Sequence, residues 1–135
     1  MLEAVHHAAA EGAAERLVPV DARGIVKGDE FAAAVRDDVA VCSVMWVNNE
    51  VGVVQPIETL GAHAKAAGAV FHTDAVQAFG KLPIDCASLP IDLLTLSGHK
   101  IGAPKGIGAL YVRRGTPLEP LLFGGAQDRG RRPGT

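Results

Sequence analysis

The chain has 135 residues, enough for one domain with a core and too few for two. Its formal charge of −2 provides no global field for nucleic acid or a lipid surface. Hydrophobic residues make up 48% but aromatics only 4%, and no apolar run approaches the ~18 residues of a membrane span.

Residues 1–15 read as a helix, with Leu2, Val5, Ala9 and Gly12 at helical spacing among alanines. Residues 17–20 are a short strand candidate. Asp29 and Glu30 open a second helix, with Phe31 and Val35 as its apolar stripe and Arg36 near its end. Residues 39–47 are almost all apolar and rich in valine, the pattern of a strand buried on both faces of a parallel sheet. Pro56 fits the first position of a third helix, whose face is Ile57, Leu60, Ala64 and Ala67 and whose end is Gly68. Strands follow at 69–74, 92–97 and 108–113. This alternation predicts an α/β fold with an open, mostly parallel sheet and flanking helices. No helix-length segment separates residues 97 and 108, so the last strand returns antiparallel, since a parallel return needs a crossover.

In open α/β sheets, ligands bind beyond the carboxyl ends of the strands. Three such ends here carry polar residues. Val47 is followed by Asn48, Asn49 and Glu50; Phe71 by His72, Thr73, Asp74 and, further on, Gln77; Leu96 by Ser97, Gly98, His99 and Lys100. Alone, Asn-Asn is a turn signal, Asp74 a helix cap and Lys100 a solvated loop residue. If the strands are parallel, all three groups meet at one edge. An amine, a carboxylate, two amides, a hydroxyl and an imidazole suit pyridoxal phosphate. A lysine holds the aldehyde, and a carboxylate keeps the ring nitrogen protonated.

Two rival readings are weak. His72 and Asp74 with His63 or His99 could ligate a metal, but no helical H-x-x-x-H pair occurs, and no metal is expected. The glycines of residues 102–108 lack the GxxxxGK[ST] spacing of a nucleotide loop. Cys42 and Cys86 form no CxxC pair and read as buried thiols in a reducing cytoplasm, the expected location. The N-terminus lacks a basic-then-apolar signal pattern.

The stretches VNNEVGVVQP, FHTDAVQAFGKLPID, LSGHKIGAPKGIGALYVRR and GGAQDRGRRPGT span much of a chain that resembles, over essentially its whole length, the cysteine desulfurases of the class V aminotransferase group. The resemblance implies part of the large domain of a fold type I pyridoxal phosphate enzyme. Lys100 is implied as the catalytic lysine that forms the Schiff base and moves the substrate α-proton. Asp74 is implied as the partner of the ring nitrogen, Gln77 and Asn49 as groups reaching the ring hydroxyl, and Ser97 and His99 as phosphate ligands. Thr135 matches a threonine that contacts the phosphate bound by the neighbouring subunit, which implies a homodimer and makes the arginine-rich end an interface.

The implied reaction takes sulfur from L-cysteine, leaves alanine, and forms an enzyme persulfide. That persulfide passes to acceptors such as an iron–sulfur scaffold or a thiolation pathway. Neither Cys42 nor Cys86 matches the attacking cysteine, which the resemblance places beyond residue 135. The phosphate loop and the histidine that stacks on the ring are placed before residue 1, so His6 and His7 are expected as exposed helical histidines. The chain is thus expected to be an internal piece of the cofactor domain, lacking an N-terminal part and a C-terminal small domain, and inactive alone. Selenocysteine lyases and other class V enzymes share part of the lysine stretch and remain the alternative activity.

Overall fold

The computed structural model describes residues 2–120. Helix α1 spans Leu2–Ala10, α2 Gly28–Ala34 and α3 Ile57–Ala66. Strands β1 Val41–Met45, β2 Val70–Asp74 and β3 Leu93–Ser97 are parallel, and β4 Gly108–Val112 runs antiparallel to β3. The sheet order is β1-β2-β3-β4. This is the α/β sheet expected, with the antiparallel return after the lysine.

The register dresses the two faces differently. Cys42 pairs with Phe71, and Thr73 with Leu94; these four side chains are buried. Ile57, Leu60, Gly61 and Ala64 of α3 are buried with them. Phe31 of α2 meets Phe71 edge to face, with ring centroids 6.5 Å apart. Gly61 is required where α3 crosses the sheet. A Cβ there would lie 2.6 Å from the Pro90 carbonyl oxygen and 2.9 Å from the Phe71 ring. The opposite face carries Ser43, His72, Asp74, Leu93 and Thr95, and the strand alternation adds Ser97. Among the described residues no helix covers Val41 or Leu110 on that face, which are 56% and 45% exposed.

Several expectations are corrected here. Helix α1 stops at Ala10, where Glu11 and Gly12 turn, and Gly12 takes φ +106°. Residues 17–20 form no strand; only an isolated antiparallel bridge joins Val20 to Val26. Strand β1 is buried on the Cys42 face only, because no helix among the described residues covers the face of Val41 and Ser43. Pro56 precedes the first helical residue of α3, and Arg36 lies beyond α2. The crossover at 75–92 consists of turns, with no helix in it.

Arg113 anchors the far half of that crossover. Its guanidinium donates to the carbonyl oxygens of Cys86 (2.7 Å), Leu89 (2.6 Å) and Ile91 (2.8 Å). Asp92 lies 3.7 Å from the same guanidinium, and its other oxygen accepts the Phe71 amide at 2.9 Å.

Candidate active site

Parallel pairing brings the carboxyl ends of β1, β2 and β3 to one edge. At the tip of β2, Asp74 pairs with Met45 on one side and Thr95 on the other. Its carbonyl accepts the Trp46 amide (2.9 Å), and the next amide, Ala75, donates to the Thr95 carbonyl (3.0 Å). One carboxylate oxygen, Oδ1, accepts the Val76 amide at 3.0 Å. This is an Asx turn rather than a helix cap. Among the described residues Oδ2 has no hydrogen-bond donor, so half the carboxylate is open to a ligand.

Ser97 ends β3 two residues beyond Thr95, hence on the face of Asp74. A 3₁₀ turn, Gly98–Ile101, follows and carries His99 and Lys100, both exposed. Glycine makes this turn possible at two points. A Cβ on Gly98 would sit 3.1 Å from Ala103 Cβ and 3.2 Å from the Ile107 carbonyl oxygen, and Gly102 ends the turn at φ +81°. The Gly98 amide donates to Ile107 (2.9 Å) and its carbonyl accepts the Ala103 amide (3.0 Å), closing the return into β4. Ser97 Oγ and His99 Nδ1 share a 2.7 Å hydrogen bond. Lys100 makes no ion pair among the described residues.

The turn after β2 packs against the lysine turn. A Cβ on Gly80 would lie 3.3 Å from Ile101 Cγ2. Gln77, half-buried in the same turn, accepts a 3.0 Å hydrogen bond from Lys81 Nζ. Asn49 is exposed in the loop after β1. Asn48 shapes that loop, its side-chain oxygen accepting the amides of Glu50 (2.9 Å) and Val51 (3.0 Å). Gln55 then ties the loop down. Its Oε1 accepts the Val26 amide at 2.9 Å and its Nε2 donates to the Gly24 carbonyl at 2.7 Å.

Thus Asp74, Gln77, Ser97, His99 and Lys100 gather on adjoining strand tips and turns, and Asn49 stands on the loop of the third tip. Thr135 lies outside the described residues, as do Arg129, Arg131 and Arg132. His6 and His7 sit on exposed α1, 3.4 Å from Glu15 and 3.6 Å from Glu11. Burial pushes the Cys42 thiol up to about 11, and burial also raises that of Cys86. Sequence reasoning weighs His72 only as a metal ligand. In the fold both ring nitrogens face hydroxyls, Ser43 Oγ at 2.7 Å and Thr95 Oγ1 at 3.3 Å. Among the described residues no three His, Cys, Asp or Glu side chains cluster as a metal would need. Gln55 also escapes the sequence reading, because its partners lie 29 and 31 residues away.

The donor set fits pyridoxal phosphate: an open carboxylate oxygen, a lysine without an ion pair, and a hydroxyl with an imidazole on a tight turn.

The family model described as aminotransferase class-V matches residues 1–130. A cysteine desulfurase of Gluconacetobacter diazotrophicus is 58% identical over 118 residues, which are 87% of this chain and 30% of that protein. The cysteine desulfurase NifS of Azotobacter vinelandii is 52% identical over all 135 residues, 34% of its own length. Among solved structures, SspA in complex with cysteine superposes with a TM-score of 0.91 at 43% identity, over 99% of this chain and 39% of that one. The chain therefore spans about a third of the length of the curated relatives it matches.

Proposed function

Since the chain belongs to the aminotransferase class-V family, we propose that it carries the lysine-bearing half of the pyridoxal phosphate site of a cysteine desulfurase. The observation that carries this reading is that the half-open Asp74 carboxylate and the turn bearing Lys100 stand at the carboxyl ends of adjacent parallel strands. Cysteine desulfurase relatives at 52–58% identity support the substrate as L-cysteine.

Each residue has a physical task. The Lys100 amine would hold the cofactor aldehyde, and the same amine would be the general base for the substrate α-proton. Asp74, through Oδ2, would hold the ring nitrogen and keep it protonated; a charge-assisted bond of this kind is worth about 1.5–3 kcal/mol. Gln77 and Asn49 would bind the ring hydroxyl. Ser97 and His99, which share a hydrogen bond, would hold the phosphate. When bound, the cofactor supplies an electron sink for the substrate carbanion. Thr135 would serve the phosphate bound by a neighbouring subunit in a homodimer.

The sulfur-accepting thiol is a different matter. A nucleophilic cysteine works as thiolate, and the raised Cys42 and Cys86 thiols are protonated at neutral pH. Neither thiol is therefore assigned the sulfur-accepting role, and the reading places the enzyme in a reducing cytoplasm. The persulfide then passes to an acceptor such as an iron–sulfur scaffold.

The test is chemical trapping. The full-length protein, loaded with pyridoxal phosphate and reduced with borohydride, should carry the label on Lys100 and should release alanine from L-cysteine before reduction. Label on Lys81 or Lys105, or none at all, overturns the reading.

A further inference from the structure

Three side chains on three neighbouring strands form a polar row on the face of Asp74. Ser43 of β1 bonds to one nitrogen of His72 on β2, and Thr95 of β3 to the other. The register explains the row. Ser43 is directly opposite His72, and Thr95 is opposite Asp74, one step along from His72. None of the three has a task in the functional reading above. Yet the tips of these same strands carry Asn49, Asp74 with Gln77, and Ser97 to Lys100.

A backbone ladder alone is tolerant of slippage, because a strand moved by one residue still finds amide and carbonyl partners. Such a slip would turn Asp74 to the opposite face. The Ser43–His72–Thr95 row exists in one register only. Thr73 adds a second lock from the other face, its hydroxyl donating to the Val44 carbonyl at 2.9 Å. A hydroxyl can donate or accept, so a neutral imidazole is satisfied at both nitrogens in either tautomer. Burial keeps the ring on the neutral side, against the pull of Asp74.

We propose that His72 is a positioning residue for Asp74: bonded to a hydroxyl on each side, its ring holds β1, β2 and β3 in the stagger that sets the acid beside the lysine-bearing turn. This rests on the cofactor reading given above.

The experiment uses the full-length protein and pyridoxal phosphate. His72→Leu removes both side-chain bonds and should weaken cofactor binding about tenfold, and should move the pH midpoint of the bound cofactor's visible absorption. His72→Gln, neutral and able to bond to hydroxyls, should recover most of both. Thr95→Val, which removes a single bond from a partly exposed site, should give a smaller loss in the same direction and serves if the leucine variant does not fold. Wild-type binding and an unmoved midpoint in the leucine and valine variants overturn the inference, as does a glutamine variant as impaired as leucine. If the wild type binds no cofactor at Lys100, the functional reading falls and takes this inference with it. Normal loading with indifferent variants overturns the inference alone.

Discussion

Asp74 and Ser97 end adjacent parallel strands on the same face of the sheet, with Thr95 directly beside the acid and two residues before the serine. The tip bearing Asp74 therefore lies one strand spacing, roughly 4.8 Å, from the strand that leads into the Lys100 turn. Had the two tips pointed to opposite faces, no small cofactor could bridge them.

Asp74→Asn separates binding from chemistry. An amide retains the shape but not the charge that keeps a ring nitrogen protonated. Turnover in the full-length protein should fall about ten- to hundredfold, the equivalent of 1.5–3 kcal/mol. The cofactor dissociation constant, measured by absorption titration, should change much less. Equal losses would mean that Asp74 only places the ring.

Gly61→Ala tests the contact between α3 and the sheet. The added methyl would overlap the Pro90 carbonyl and the Phe71 ring. Urea unfolding should show a loss of about 1–3 kcal/mol, despite the better helix propensity of alanine. An unchanged midpoint would show that α3 shifts without resistance.

Gln55→Leu should leave the buried Val26 amide and the half-buried Gly24 carbonyl without partners. The expected cost is about 1–3 kcal/mol. Amide exchange at Val26 should accelerate alongside the loss in urea stability. If Val26 stays as protected as in the wild type, Gln55 is not what holds the Asn49 loop to residues 24–26.

His72 makes stability depend on pH. Burial lowers its folded pKa below the ordinary histidine value of 6.5. The unfolded chain then binds more protons as pH falls, so this contribution is complete above about 6.5 and declines as pH drops through that value toward the folded pKa. Urea midpoints at pH 7.5 and 5.5 should differ more in the wild type than in His72→Gln. Identical differences would show that the ring is not held neutral.

Much of this architecture is written locally. The apolar residues of β2 and β3, the acidic opening of α2 and the face of α3 each follow from periodicity within a few residues. The three polar strand ends are legible for the same reason, once the strands are taken as parallel. What fails depends on neighbours. The valine run of β1 looks buried on both faces, but Val41 is exposed because no helix among the described residues covers its face. Residues 17–20 have strand-like composition, yet only Val20 finds a partner, in a tight turn with Val26. The Ser43–His72–Thr95 row is invisible in any one strand, since it exists only when three are set in register.

Arg113 fastens only the second half of the crossover, at the carbonyls of Cys86, Leu89 and Ile91. The first half is held differently: Leu82 and Ile84 pack against the core, and Asp85 accepts the Ala87 and Leu89 amides at its carboxylate and carbonyl. Loop grafting into this connection therefore meets core packing before Cys86 and a three-point arginine clasp after it.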